Sequence, residues 1–326
     1  MRVFVAGASG ALGSQLVPLL ISAGHEVIGT HNSPASAEGV RKLGAKPVAV
    51  DLLDPRAVRK AVLESEPEAI VHQATALAGA KFGRSLDKTF AMTNRLRVEG
   101  TDRLLSAARE AGVRRVVAQS FAPYRYAREG GPVKSEDDPL DPNPPANAAE
   151  TYAAMSHLDR AVTGAGGIAL RYGGFYGGSS DGWAEPVRKR QFPIVGDGGG
   201  IMSFIHLDDA AAATVLALEH DGPAIYNIVD DEPAPARDWL PVLAEVLGAK
   251  PPRRFPAWLV RLFAGEAAVV MGTQSRGASN AKAKRELGWS PRYPSWRTGF
   301  PAAYSAIPVA DLPTPGHAAR TSHSPT

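Results

Sequence analysis

Val3, Phe4 and Val5 run without a polar break towards Gly7, and an apolar pattern with helical spacing resumes from Leu12 to Ile21. A short continuous apolar run predicts a buried strand, and recurrence at three- and four-residue intervals predicts a helix. The alternation then repeats down the chain. Strands are predicted at Val3–Val5, His25–Thr30, Pro47–Asp51, Ala69–Gln73, Arg115–Gln119 and Ile168–Arg171. Helices are predicted at Ala11–Ala23, Ala35–Leu43, Arg56–Glu64, Phe90–Ala111 and Thr151–Thr163, with Gly24 and Gly112 as stops. Strand and helix in turn predict an α/β fold on a doubly wound parallel sheet. The segment Pro123–Pro145, rich in Pro, Gly and charge, is expected to loop over the active-site face.

Beyond Gly178 the pattern loosens. Trp183–Gly200 is irregular, followed by Ile201–Leu207, an alanine-rich helix at Asp208–Leu218 and a strand at Ala224–Val229. Short helices at Trp239–Leu247 and Trp258–Phe263 lie in a Pro- and Trp-rich stretch. The expected division is a sheet domain over 1–177, with 203–229 returning to it, and a smaller C-terminal substrate lobe from 178–202 and 230–307. Residues 308–326 have no periodicity and are expected to be a disordered tail.

The junction of the first strand and first helix carries the chemistry. Gly7, Gly10 and Gly13 frame Ala8, Ser9, Ala11 and Leu12 between strand and helix. Gly7 suits a turn closed to residues with a Cβ, Gly10 lets backbone approach a phosphate, and Gly13 lets helix and strand pack closely. The helix N-terminus then offers N–H groups and a positive dipole end to a pyrophosphate. A glycine trio alone is weak, but with strand, helix and second strand in place it predicts a dinucleotide-binding Rossmann fold.

Composition narrows the remaining classes. The chain has 326 residues, 44% hydrophobic and 21% charged, as an ordinary soluble globular protein does. No apolar run approaches the ~20 residues that span a bilayer, and the N-terminal apolar residues read as the nucleotide-binding strand, not a leader. Zero cysteines exclude disulfides and thiolate chemistry and suit a reducing cytoplasm. The net charge of +3 comes from scattered Arg and Lys, which gives no nucleic-acid groove. No His, Asp and Glu grouping has metal-ligand spacing. A small-molecule substrate is expected, and a homodimer is compatible.

Further blocks appear in a fixed order: Asp51-Leu52, Val71-His72-Gln73-Ala74, Glu99-Gly100-Thr101 and Arg171-Tyr172-Gly-Gly-Phe-Tyr176-Gly177. Phe204-Ile-His206-Leu-Asp208-Asp209, Tyr226-Asn227-Ile228 and Glu286-Leu287-Gly288-Trp289 follow. With the glycine turn, their order resembles the extended short-chain dehydrogenase/reductase superfamily, the NAD(P)-dependent epimerase/dehydratase group, nearly to Phe300. The resemblance implies a catalytic Ser or Thr after the fifth strand and a Tyr-x-x-x-Lys helix, where the Lys lowers the pKa of the Tyr. Ser120 takes the first place, four residues before Tyr124, which stands at the tyrosine of the family's Val-Tyr-Gly. The second place departs: Tyr152-Ala-Ala-Met-Ser156 has Ser where Lys belongs, and 151–163 holds no Lys. Thr151 and Met155 fit the two slots equally well, so Tyr152 is either the catalytic acid or a pocket residue. His157, His72, His206 and Asp208 read as packing, surface or hydrogen-bonding residues.

The resemblance also bears on cofactor and substrate. NAD-preferring relatives end the second strand with Asp, whereas this chain has His31, Asn32 and Ser33. Without a carboxylate to repel a 2′-phosphate, NADP(H) is expected, with NAD possible. Arg41 lies nearby on a helix of unassigned facing. Asp51 and Leu52 are expected to flank the adenine, and Gln73, Ala74 and Thr75 to line the cofactor's path. Nucleotide-sugar enzymes carry an Arg before the Phe-Ile-His block, which here reads Ile201-Met202-Ser203. Trp183, Phe192, Trp258 and Met271 are either an apolar pocket or lobe core. The expected function is NADP(H)-dependent reduction or oxidation of a small, fairly apolar carbonyl or alcohol. The alternatives are epimerisation or dehydration of a sugar or sugar nucleotide, and a non-catalytic NADP(H)-binding sensor.

Overall fold

The computed structural model describes residues 1–77, 80, 83–178 and 182–304, and seven of its strands form one parallel sheet. They are β1 (Arg2–Ala6), β2 (Glu26–His31), β3 (Lys46–Ala49), β4 (Ala69–His72), β5 (Arg115–Phe121), β6 (Ile168–Tyr172) and β7 (Ala224–Ile228). Their order across the sheet is β3-β2-β1-β4-β5-β6-β7. The winding therefore reverses between β1 and β4, and a doubly wound sheet opens its ligand crevice at that place, beyond the strand C-termini.

Alternation along β1 shows why both faces are covered. Val3 and Val5 enter one core with Leu12, Leu16 and Leu20 of helix α1 (Ala11–Ser22). Phe4 and Ala6 enter the opposite core with Val58 and Val62 of the Pro55–Ser65 helix and Leu104 of the Thr101–Glu110 helix. Side chains alternate across a strand, so one strand feeds two cores. A third core, with Trp239, Leu243, Trp296 and Phe300, holds the lobe together.

The structure differs from the predicted elements in four places. The helix predicted at Phe90–Ala111 is interrupted: Ala91–Arg95 leads into a π-helical turn at Leu96–Gly100 before Thr101–Glu110. Trp258–Phe263 is part of a longer helix, Ala257–Thr273, broken where Gly265 takes φ 82° and ψ 176°. That backbone conformation is open essentially to glycine alone. Helices at Ala281–Leu287 and Trp296–Tyr304 are additional; Ala283 and Leu287 of the first pack on the sheet core, and Trp296, Phe300 and Tyr304 of the second, at four-residue spacing, enter the lobe core. Pro123–Pro145 carries the short strand Val133–Lys134, paired with Gly277–Ala278. The expected tail, 308–326, lies outside the described residues.

Candidate active site

The C-terminal ends of β1, β2, β4 and β5 bring together the glycine turn, His31, Gln73-Ala74 and Ser120. Gly7 has φ +90°, and a Cβ on it would lie 2.8 Å from the backbone nitrogen of Ala74. A Cβ on Gly13 would lie 2.3 Å from the carbonyl oxygen of Gly7. Both glycines are thus required by backbone packing. Gly10 is exposed, caps α1 without any side-chain hydrogen bond, and no acidic residue stands in the first turn. The first-turn N–H groups and their dipole are left for an anion. The cradle fits a dinucleotide pyrophosphate.

Around it the predicted contact residues divide. His31 is half-buried at the end of β2 with Nδ1 buried and unpartnered, and Asn32 is exposed. The Ser33 hydroxyl is already engaged, accepting from the Ser36 N–H (3.2 Å) as cap of the Pro34–Lys42 helix. Arg41 sits in the last turn of that helix, paired with Glu38 at 3.4 Å, a helix length away from His31. Asp51 is exposed and accepts from the Leu53 N–H, whereas the Leu52 side chain is buried in the second core. Gln73 is buried, and its amide reaches the Tyr172 hydroxyl at 3.5 Å. Ala74 closes on Gly7, and Thr75 is half-buried beside it.

The space below Ser120 belongs to an arginine that the sequence pattern does not single out. Arg125 stands where the family's Val-Tyr-Gly has Gly, and is 1% exposed. Its guanidinium donates to Ser120 Oγ (2.9 Å), to the Phe121 carbonyl (3.2 Å) and to Ser156 Oγ (3.4 Å). With Tyr152 in the tyrosine place, Ser156 stands at the Lys position, and the Arg125 guanidinium reaches it from the neighbouring loop. Arg125 and Arg171 also share one oxygen of Asp159, at 3.0 and 2.9 Å. Burial opposes ionisation of Asp159, but the two guanidiniums outweigh it and hold its pKa below the usual carboxylate value.

Tyr152 and Thr151 part ways on helix α5 (Ala149–Gly164; the helices at Pro34–Lys42, Pro55–Ser65 and Thr101–Glu110 being α2 to α4). Thr151 is tied to Asp87 (2.8 Å) and Asn94 (3.0 Å), away from Ser120. Tyr152 donates its hydroxyl to the Tyr124 carbonyl. Its ring lies in an apolar cluster with Leu86 and Met155, against which Phe90, Phe121 and Met271 pack. Burial raises the Tyr152 pKa, and proximity to Tyr124 adds to it. Tyr124 has φ +49°, a strained backbone for a bulky residue. Of the four apolar lobe residues, Met271 joins this cluster, Trp183 and Phe192 pack on the lobe core, and Trp258 is 65% exposed.

Several other residues hold the frame. His157 faces Asp102 at the surface (2.8 Å), and His206 caps the Leu207–Glu219 helix and stacks on Tyr293. Asp209 accepts the N–H groups of Arg292 and Tyr293, pinning the C-terminal segment to the Leu207–Glu219 helix. Among the described residues no cluster of three His, Asp or Glu forms a metal site, and no helix is long and apolar enough to cross a membrane. Arg97 and Arg125 escaped the sequence reading. Arg97 had a signal: with Thr93, Thr101 and Leu104 it lies on the buried stripe of its helical segment.

Comparison with known proteins agrees with this geometry. A model of the NAD dependent epimerase/dehydratase family matches residues 3–229. A 3-diazoavenalumate denitrifying reductase of Streptomyces sp is 42% identical over 308 residues, 92% of this chain and 99% of that one. A 2-alkyl-3-oxoalkanoate reductase of Stenotrophomonas maltophilia (strain K279a) is 29% identical, over 76% of each chain. The structure of a Thermus thermophilus UDP-glucose 4-epimerase in complex with NAD superposes with a TM-score of 0.70 at 25% identity, covering 94% of this chain and 98% of that one. The chain belongs to the NAD dependent epimerase/dehydratase family, and is an NAD(P)-dependent enzyme of the oxidoreductase or epimerase kind.

Proposed function

We propose that the protein is an NADPH-dependent reductase of a small, fairly apolar metabolite bearing an electrophilic carbonyl carbon. The observation that carries this reading is that the site holds, among the described residues, the Ser120 hydroxyl and no group basic enough to deprotonate an alcohol near neutrality. Burial keeps Tyr152 a neutral phenol, and the Lys that would favour its anion is replaced by Ser156. His72, buried at the end of β4, has its pKa lowered by burial to about 4, too weak a base near neutrality. Reduction ends by delivering a proton to oxygen, whereas an epimerase begins by removing one from a hydroxyl. A site of this composition favours the first. The reductase names of the two relatives agree.

When bound, NADPH supplies the hydride. Gly7, Gly10, Gly13 and the first turn of α1 hold its pyrophosphate, with Ser9, Ala11 and Leu12 in the same turn. Asp51 and Leu52 border the adenine, and Gln73, Ala74 and Thr75 line the path towards the site. Ser120, 1% exposed and oriented by Arg125, shares its hydroxyl proton with Asp159 and would donate it to the substrate oxygen by turning from that carboxylate. Tyr152 closes the apolar side, with its hydroxyl given to the Tyr124 carbonyl.

Loss of NADPH absorbance with a panel of apolar ketones and 3-oxo acids tests the reading. Production of UDP-galactose from UDP-glucose, with no ketone consuming NADPH, would overturn it. On an active ketone, Ser120→Ala is expected to lower kcat about 10²-fold, the usual cost of one oxyanion donor. NADPH affinity should be unchanged, and an unaltered kcat would remove Ser120 from the machinery.

For the 2′-phosphate we propose His31 and Asn32, because Ser33 is engaged as a cap. A carboxylate at the end of β2 would repel the phosphate and accept the ribose hydroxyls of NAD. His31→Asp is therefore expected to shift the NADP-to-NAD affinity ratio at least ~10-fold towards NAD, ~1.4 kcal/mol. Calorimetric titration of both cofactors checks it. A wild type that already prefers NAD contradicts the assignment.

A further inference from the structure

Arg97 is 6% exposed and belongs to the π-helical turn, which packs against α5, the helix of Tyr152, Ser156 and Asp159. It makes no hydrogen bond or ion pair with any described residue, and its Nε is buried without a partner. Its electrostatic neighbours are Arg125, Tyr124 and Asp159, and it lies close enough to His72 to act on that ring. Among the described residues, three buried guanidiniums, Arg97, Arg125 and Arg171, thus gather near one carboxylate, that of Asp159. Arg125 and Arg171 both take its Oδ2. Glu136, which also feels Arg171, accepts the Asn227 N–H.

Asp159 is already held by Arg125 and Arg171, and a buried cation short of counter-charge costs several kcal/mol, which an anion from a ligand would offset. Burial lowers the Arg97 pKa to about 10, with Arg125 acting in the same direction, which leaves it protonated at neutral pH. Insertion of a π turn re-aims side chains within a helix and is frequent at functional sites. The matching ligand chemistry is an oxyanion, from either the cofactor's phosphates or the substrate. Arg97 acts on His72 at the end of β4, but Tyr124, Arg125 and Asp159 draw it to the surroundings of Ser120, which favours the substrate. The Tyr124 ring meets Phe121 edge-on at 5.3 Å, which joins this charge to the apolar cluster around Tyr152.

We infer that Arg97 seats a carboxylate of the substrate, whose apolar body lies against Phe121, Tyr152 and Met271. The inference rests on the reductase reading for its substrate side and names the substrate class: a small organic acid with an apolar chain or ring. A guanidinium grips a carboxylate through two parallel N–H···O bonds, which also fixes the orientation of the carbon to be reduced.

Calorimetric titration of cinnamate and of its neutral amide into NADP⁺-loaded protein tests it without any turnover, and so independently of the reductase assay. The wild type is expected to bind the acid at least ~10-fold tighter than the amide. Arg97→Met, which removes charge at similar volume, should abolish that preference and leave NADP⁺ affinity within about threefold. Arg97→Lys should keep a preference for the acid at reduced affinity, and serves if the Met variant does not fold. A wild type that binds neither probe, or binds both equally, overturns the inference. So does an unchanged preference in Arg97→Met. A collapse of NADP⁺ affinity in that variant would assign the guanidinium to the cofactor's phosphates instead.

Discussion

Asp159→Asn is expected to destabilise the protein by about 3–5 kcal/mol, the usual cost of removing one partner from a buried charge network. The carboxylate is 3% exposed and is bound by both Arg125 and Arg171 on one oxygen. Neutralising it leaves two guanidiniums buried and facing each other. The effect should also depend on pH in a defined sense. Asp159 has a folded pKa below its unfolded value of about 3.9, so its contribution is complete above that value. It is lost as pH falls through the folded pKa, and the curves for wild type and variant should converge there. Urea unfolding at a series of pH values measures both effects. Asp102→Asn, which breaks only the surface pair with His157, is the control and should stay within about 0.5 kcal/mol. A cost below about 1 kcal/mol at Asp159 would mean that the network is not held by its charge.

Gly10→Val is expected to weaken nicotinamide dinucleotide binding at least ~100-fold, ~2.8 kcal/mol, with the fold intact. Gly10 has φ −76° and ψ 175°, which any residue adopts, and a Cβ there meets only the Gly7 carbonyl oxygen, at 3.3 Å. A branched side chain would instead fill the approach to the α1 N-terminus that a pyrophosphate needs. Gly13→Val separates the two roles of the turn. Its Cβ would lie within 2.6 Å of two backbone oxygens, those of Gly7 and Ala8, so the turn itself must open and the fold should suffer. Thermal unfolding and cofactor titration on both variants check the pair. Unchanged affinity in a folded Gly10→Val protein would remove the glycine turn from the binding site.

The glycine turn between β1 and α1 was legible because its determinants are local. A strand of apolar residues, a turn that only glycine can make and a helix with an uncapped N-terminus occupy one stretch of chain, Arg2–Ser22. Periodicity marked most of the remaining sheet and its flanking helices for the same reason. It failed at Gly265 and at Leu96–Gly100, where backbone departures inside apolar helices leave no trace in the hydrophobic pattern.

The substrate end was a matter of partners. The sequence shows that 151–163 lacks a Lys, and leaves open whether Thr151 or Tyr152 takes the catalytic place. Only the packing of α5 ties Thr151 to Asp87 and turns Tyr152 to the carbonyl of Tyr124. Ser33, Asn32 and His31 read alike as hydrogen-bonding residues until the cap on α2 engages Ser33. Arg125 and Ser156 stand 31 positions apart, and Arg171 and Asp159 belong to different elements. Propensity and period act over a few residues and determine which segments become strands, turns and helices. The protonation and pairing of buried charges depend on distances across the core, and only the assembled sheet brings Arg97, Arg125, Arg171 and Asp159 close enough to decide them.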